Sequence, residues 1–185
     1  MLTQEIKTKK TLLILSDTSR SVKSLYDVDK FKYWLNEAMT IIEDFLFNSS
    51  GGGLSLKKYQ VKNIEISMTI CGVKKIKSLN SSFRGKNTKT DVLSFPIFDT
   101  MRFESADWVR PGQIVNLGDI FICKDVALEQ SKEFQVSLEE ELLHLFIHGL
   151  LHLCGFDHEI SEEEEILMFG LEEKLIKQIS TKLKK

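Results

Sequence analysis

All four histidines of this 185-residue chain lie between positions 144 and 158, and three of them share a spacing that suits a metal ion. His148 and His152 are four residues apart, so on a helix both rings lie on one face, with Cβ atoms roughly 5–6 Å apart. Gly155 follows, and glycine tolerates the left-handed conformation in which helices often end. The chain can therefore turn back and offer His158 as a third nitrogen ligand.

Three histidine nitrogens predict a catalytic rather than a structural zinc site. Two imidazoles one helical turn apart can both reach one zinc ion at about 2.0–2.1 Å, and a third ligand leaves the fourth tetrahedral position open. The alternative is that His148 and His152 are core histidines satisfied by hydrogen bonds. A buried imidazole pair without partners would be costly. The spacing therefore favours one zinc ion per chain, bound by His148, His152 and His158.

The helix that carries this site is predicted to begin near Ser137, to end near Cys154 and to be buried. Ser137 and Glu140 match the capping box, in which each side chain bonds the backbone N–H of the other. Apolar residues then cover nearly the whole circumference, which is typical of a central helix. Cys154 points away from the histidine stripe, and we interpret it as a small buried apolar residue.

Gly149 argues against a protease, although the histidine spacing is that of the metzincin class. Those proteases place a glutamate directly after the first histidine, where it is the general base for the attacking water. Here that position is Gly149, so the base is missing. A zinc hydrolase that acts on another substrate stays open as an alternative.

Charge and composition limit the classes of protein to which the chain can belong. The formal net charge is −2, so nucleic acid can be bound only through a local basic patch. The three cysteines form no C-x-x-C pair, which favours reduced thiols in a cytoplasmic protein. No apolar run suits a secretory signal or a membrane helix, so no membrane partner is expected. The length predicts a single domain spanning residues 1–185.

The periodicity of apolar residues predicts strands and helices along the rest of the chain. Strands are predicted at Thr11–Ser16, Ile64–Ile70, Asp91–Pro96 and Leu117–Ile122. Helices are predicted at Phe31–Phe47, Val73–Phe83, Lys124–Phe134, Ser137–Cys154 and, after a cap at Ser161, as far as Ile179. Asn48–Gly53 is interpreted as a surface connector and Thr100–Gln113 as an irregular excursion.

A cluster of basic residues precedes the strand Asp91–Pro96. Such clusters bind phosphate backbones, although charge alone favours a solubilising surface. Arg84 lies in a polar loop between a helix and a strand, where functional residues are often found, and its guanidinium can bind a phosphate with two hydrogen bonds. The cluster consists of Lys74, Lys75, Lys77, Arg84, Lys86 and Lys89.

Five segments resemble, in order, the YbeY family of rRNA maturation endoribonucleases. The block from His148 to His158 is highly specific to that family, and the block Thr90–Pro96 supports it independently. The resemblance extends from about Ile64 to the last helix. The family tyrosine is replaced by Phe156, and the excursion Thr100–Gln113 is long for the family. The five segments are Leu79-Asn80, Phe83–Lys86, Thr90–Pro96, Leu117–Ile120 and His148–His158.

The resemblance implies a fold, a metal and a reaction. The fold would be α+β, with a small mixed β-sheet packed with helices and a central helix carrying the three-histidine zinc site. His148, His152 and His158 would bind zinc, and Arg84 would be the catalytic arginine that acts on RNA near the metal. The reaction would be cleavage of single-stranded RNA at the 3′ end of small-subunit (16S) rRNA, together with late-stage ribosome quality control. The implied partners are single-stranded RNA, rRNA and the small ribosomal subunit, and no DNA is expected.

Two side chains near the site have roles that the sequence leaves open. His144, one turn before His148, is either a proton carrier, a group that supports the site, or an ordinary hydrogen-bonded histidine. Asp157 either orients a ligand imidazole through its second nitrogen or shapes the turn. A competing class is a ribosome- or RNA-binding factor with a structural or nearly inert zinc, which a fourth ligand such as His144 would favour.

Overall fold

The computed structural model describes residues 2–19, 26–48, 56–98 and 109–184. The strands of this part of the chain are β1 (Leu2–Lys7), β2 (Thr11–Asp17), β3 (Asn63–Cys71), β4 (Val92–Pro96) and β5 (Ile114–Cys123). The α-helices are α1 (Val28–Asn48), α2 (Val73–Arg84), α3 (Lys124–Glu133), α4 (Leu138–Leu153) and α5 (Glu162–Leu183). None of these helices is both long and apolar enough to span a membrane.

The strands form one mixed sheet in the order β1-β2-β3-β5-β4. β2, β3 and β5 are parallel, whereas β1 and β4 are antiparallel to their neighbours at the two edges. Parallel neighbours need crossover connections; α1 lies between β2 and β3 in the chain, and α2 with β4 lies between β3 and β5. The α+β fold with a small mixed sheet is therefore confirmed.

The predicted strands and helices are all present, and β1 is a strand that the periodicity does not predict. Among the side chains of β1 that the structure describes, only Ile6 is buried. An edge strand with one buried residue shows no alternation of apolar and polar positions, so its sequence resembles a polar terminus. Residues 49–53 of the predicted connector and 100–108 of the predicted excursion lie outside the described residues.

One face of the sheet carries the main core, and α2 covers part of the other face. Alternate residues of β3, such as Ile66 and Met68, are buried in the main core with α1, α4 and α5. On the other face, Ile76 of α2 packs against Cys71, Leu93 and Cys123. The half-buried alternation expected of the Ile64–Ile70 strand is confirmed.

α4 is the central helix, as predicted. It lies against β4 and β5 and contacts α1, α3 and α5, and twelve of its sixteen residues are buried. The capping box at its start is present, because the Ser137 hydroxyl accepts from the Glu140 N–H at 3.2 Å and the Glu140 carboxylate accepts from the Ser137 N–H at 2.8 Å. Glu139 accepts a hydrogen bond from the N–H of Asp27 at 2.8 Å, which fixes the start of α4 to the start of α1.

Gly149 marks the closest approach of α4 to the sheet. A Cβ atom at this position would lie 2.8 Å from Cγ2 of Ile120 and 3.0 Å from Oγ of Ser94, which is closer than side chains pack. The residue after His148 therefore faces β4 and β5 and has no room for a glutamate. This contact gives the physical reason for the departure from the metzincin pattern.

Candidate metal centre

The three predicted ligands converge at the C-terminal end of α4. The ligand nitrogens of His148, His152 and His158 all lie within 4.8 Å of one another, and the Nε2 atoms of His148 and His152 are 3.1 Å apart. Two nitrogens bound to one tetrahedral zinc would be roughly 3.3 Å apart at ordinary zinc–nitrogen distances. The three imidazoles therefore fit a single ion of this kind. Within the described ranges, no other histidine, cysteine or carboxylate joins this group.

A Schellman motif ends α4 and brings His158 back to the histidine pair. Gly155 has a φ of +84°, a conformation in which a side chain would be strained. The N–H of Gly155 donates to the carbonyl of His152 at 2.9 Å, and the N–H of Phe156 donates to the carbonyl of Leu151 at 3.1 Å. These two bonds define the motif, so the glycine turn expected from the sequence is confirmed.

The segment after the motif fixes the third histidine. Asp157 accepts a hydrogen bond from the N–H of Glu159 at 3.0 Å, so this carboxylate shapes the turn, which is one of the two roles that the sequence left open. The ring of His158 stacks on Phe169 of α5, with centroids 5.4 Å apart and planes inclined by 24°. The turn at Asp157 and the ring of Phe169 therefore both help to fix the position of His158.

Two residues between the ligands belong to the core. Cys154 is completely buried, and burial raises the pKa of its thiol; it is not part of the three-nitrogen group. Phe156 is 2% exposed. The interpretation of Cys154 as a buried apolar residue is confirmed.

The protonation state of His152 suits a metal ligand. Burial lowers its pKa to about 4, and the neighbouring charges of His148 and His158 act in the same direction. A metal needs an unprotonated imidazole, and His152 is in that form over the whole physiological range.

Glu172 of α5 is a residue of the site that sequence reasoning missed. One oxygen of this buried carboxylate, Oε1, lies 2.6 Å from Nε2 of His144, and the other, Oε2, lies 3.4 Å from Nδ1 of His148. The helix is rich in glutamate, and nothing in its sequence separates Glu172 from the exposed Glu173. Only the packing of α5 on α4 identifies it.

His144 is held by carboxylates and is not a fourth ligand. Its Nδ1 is 3.7 Å from Oε2 of Glu141, on the side opposite Glu172. The pKa of His144 is raised to about 10 by Glu141 and Glu172. Burial raises the pKa of Glu172, but the contacts with His144 and His148 outweigh it and lower the pKa to about 2. These pKa shifts favour a positively charged His144 and a negatively charged Glu172 next to the three histidines.

A groove of about 780 Å³ opens in front of the three histidines, and Arg84 lines it together with them. This volume is in the range of ligand-binding clefts. Nη2 of Arg84 forms an ion pair with Glu159 at 3.1 Å, and both side chains are about half exposed. An exposed ion pair contributes little free energy, so a phosphate can replace Glu159 as the partner of Arg84.

The other basic residues of the predicted cluster lie outside the groove lining. Lys89 is paired with Glu129 at 2.6 Å, and the ammonium of Lys75 lies 5.8 Å from the ring centroid of Phe121. The side chains of Lys74, Lys77 and Lys86 are exposed. Arg84 is therefore the member of the cluster that faces the histidines.

Phe83 places an aromatic ring at the edge of the groove. It lines the groove beside Arg84, and 68% of it is exposed. Its ring meets that of Phe95 in an edge-to-face contact, with centroids 4.9 Å apart, and Phe95 meets Phe121 in the same way at 5.8 Å. A row of packed rings thus supports an aromatic surface that is open to solvent.

Comparisons with known proteins find related sequences and a similar fold. A family model described as Endoribonuclease YbeY matches residues 32–180. Proteins with that name include one from Caldicellulosiruptor saccharolyticus, 41% identical over 78% of this chain and 89% of its own length. Another, from Sulfurihydrogenibium sp. (strain YO3AOP1), is 37% identical over 69% of this chain and 78% of its own length. A solution structure from Thermotoga maritima, 24% identical, has a similar fold, with a TM-score of 0.53 and coverage of 92% of this chain and 91% of that chain.

Proposed function

The chain belongs to the YbeY family of endoribonucleases, and from this premise we propose that it is a zinc-dependent endoribonuclease. Its substrate in this proposal is single-stranded RNA at the 3′ end of small-subunit (16S) rRNA, and it acts in the cytoplasm on the small ribosomal subunit as part of ribosome maturation and quality control. The observation that carries the proposal is one groove in which three converging imidazoles and the guanidinium of Arg84 lie together.

His148, His152 and His158 would hold the zinc ion. When bound, zinc supplies Lewis-acid activation of water and of a phosphoryl oxygen. The histidines contribute neutral imidazole nitrogens, which the low pKa of His152 favours. In this proposal the fold also excludes the protease version of the chemistry, because Gly149 faces the sheet.

Arg84 is proposed as the catalytic arginine. Its guanidinium lies on the groove wall and is paired only with the exposed Glu159 among the residues that the structure describes. Two parallel N–H groups match two oxygens of a phosphodiester, and the positive charge offsets negative charge that develops on those oxygens in the transition state. Arg84 would therefore bind the phosphate and stabilise the transition state.

Phe83 supports a preference for single strands. Bases of a single strand can leave their stack and lie on an exposed aromatic ring, whereas bases in a duplex cannot. The ring of Phe83 is open to solvent and adjoins the arginine that would bind the phosphate. We propose that a nucleobase next to the cleaved bond stacks on Phe83.

The proposal is tested by cleavage of an RNA fragment from the 3′ end of 16S rRNA, presented as a single strand and as a duplex. We expect the wild-type protein with zinc to cut the single strand faster, and EDTA, His148→Ala and Arg84→Ala each to abolish cleavage or reduce it at least a hundredfold. Lys77→Ala is the matched control, because Lys77 is basic, exposed and on the same helix as Arg84.

The outcomes separate the alternatives. Equal residual cleavage in every sample would identify a contaminating nuclease and contradict the proposal. Binding of zinc and RNA without cleavage, with and without small subunits, would favour the RNA-binding factor. Cleavage of an amide substrate in place of RNA would favour a zinc hydrolase of another class.

A further inference from the structure

The carboxylate of Glu172 contacts His148 at the ring nitrogen that does not face the other ligands. Nε2 of His148 points to Nε2 of His152, at 3.1 Å, while Nδ1 lies 3.4 Å from Oε2 of Glu172. The two nitrogens of this ring therefore have different partners. One side faces the candidate metal position and the other faces a buried anion.

The tautomer of His148 follows from this arrangement. A neutral imidazole carries one N–H, and the nitrogen that carries it is set by the hydrogen bond that it makes. An ionised carboxylate accepts hydrogen bonds and cannot donate them. Glu172 therefore favours the proton on Nδ1 of His148, which leaves the lone pair of Nε2 directed towards His152 and His158.

His144 holds the other oxygen of the same carboxylate. Nε2 of His144 is 2.6 Å from Oε1 of Glu172, and the side chain of Glu172 is 7% exposed. A buried carboxylate needs a positively charged or hydrogen-bonding partner. His144 and His148 lie one turn apart on α4, so an ion pair with His144 holds Oε1 of Glu172, a hydrogen bond with His148 holds Oε2, and Glu172 joins α5 to α4.

We propose that Glu172 is a positioning residue that fixes the ring and the tautomer of His148 for metal binding, and that His144 supports it by holding Glu172 in place. The proposal builds on the metal role proposed for His148, His152 and His158. Carboxylates behind ligand histidines raise metal affinity by orienting the ring. Neither Glu172 nor His144 contacts the substrate in this account.

The tautomer of His148 in zinc-free protein tests the proposal without reference to metal or RNA. Long-range ¹H–¹⁵N spectra distinguish the two neutral tautomers of each of the four histidines, and single histidine variants assign the signals. We expect the wild-type protein to carry the proton on Nδ1 of His148. Glu172→Ala is expected to move it largely to Nε2, and Glu173→Ala, which removes an exposed carboxylate one position along α5, is expected to leave it on Nδ1.

Zinc affinity, measured by competition with a chromophoric chelator, provides the second readout. Glu172→Ala is expected to weaken zinc binding ten- to a hundredfold, whereas Glu173→Ala should stay within about twofold of wild type. His144→Ala is expected to give a smaller loss in the same direction. Glu172→Gln keeps an acceptor oxygen of the same size, so it should recover part of the affinity and keep the proton of His148 on Nδ1. Glu172→Leu, which fills similar space without an acceptor, replaces Glu172→Ala in both experiments if the alanine variant does not fold.

The results separate failure of this inference from failure of the proposed function. A Glu172 variant without an acceptor oxygen that keeps the wild-type tautomer and the wild-type zinc affinity would overturn the inference, even if the enzyme cleaves RNA. Wild-type protein that binds no zinc would contradict the proposed function. In that case the tautomer alone decides the role of Glu172.

Discussion

The orientations of the His148 and Arg84 side chains depend on residues that are distant in the sequence. The ring of His148 is in contact with Glu172 of α5. Arg84, at the end of α2, lines the groove together with the three histidines and residues of β4. Each side chain has a chemistry that is fixed by its type, but its direction is set by tertiary packing.

The exposed ring of Phe83 leads to a prediction about RNA affinity. Phe83→Ala should weaken binding of a short single-stranded RNA by about 1–3 kcal/mol, since that is the usual contribution of one base stacked on an aromatic ring. Phe83→Tyr should keep the affinity, because the ring is retained. Tyr33→Ala, which removes another exposed aromatic ring, serves as the control in fluorescence anisotropy. Equal affinity for the Phe83→Ala and wild-type proteins would contradict the stacking role.

The charge on His144 leads to a prediction about pH. Its pKa is raised to about 10 by Glu141 and Glu172, above the usual value of about 6.5 in an unfolded chain. Protonated His144 therefore stabilises the folded protein fully below about pH 6.5, and this stabilisation is lost as the pH rises towards 10. In zinc-free protein, the free energy of unfolding should therefore fall more steeply between pH 7 and 10 in wild type than in His144→Ala. Identical pH profiles in urea denaturation would show that His144 is not held as an imidazolium.

At the level of elements, α4 combines several local signals. The capping box at Ser137, the apolar circumference and the Schellman motif at Gly155 all act within a few residues, so they can be predicted from the sequence. The placement of the three histidines follows from the same local geometry. The contact of Glu172 with His148 and the strand β1 could not be predicted, because each depends on packing between distant segments.

Two glycine substitutions should have opposite effects on stability, because, of these two residues, only Gly149 lies at the contact between α4 and the sheet. Gly149→Ala should destabilise the protein by about 1–3 kcal/mol, because the new Cβ would overlap Ile120 and Ser94. Gly170→Ala lies within α5 with no atom within 4 Å of the new Cβ, so it should stabilise the protein by roughly 0.5–1 kcal/mol. Thermal unfolding of both variants measures the difference. A stabilising effect of Gly149→Ala would contradict the close approach.

The N-terminal cap of α4 leads to a prediction about stability. Ser137→Ala removes the acceptor of the Glu140 N–H and should lower the free energy of unfolding by about 1 kcal/mol. Ser137→Asp keeps a capping oxygen and should lose much less. Urea denaturation measures the free energy of unfolding of both variants. Equal losses would show that the capping hydrogen bond of Ser137 does not stabilise the protein.

For the whole molecule, the sheet and its helices bring two chemically different groups to one groove. α4 and the turn after it supply three imidazoles, while α2, on the other face of the sheet, supplies Arg84 and Phe83 at the edge of β4. The clustering of the three histidines could be predicted from their spacing alone, whereas the catalytic role proposed for Arg84 comes from the family resemblance. The groove between them is a property of the fold, since no local pattern shows that the two faces meet at β4.

Titration of zinc into metal-free protein, with cleavage of a single-stranded 16S 3′-end fragment as the readout, tests the central claim most directly. We predict that the cleavage rate rises in proportion to zinc and stops rising at one zinc ion per chain, and that His148→Ala shows no such rise. Cleavage that does not depend on zinc, or full zinc binding without any cleavage in the presence of small ribosomal subunits, would contradict the account.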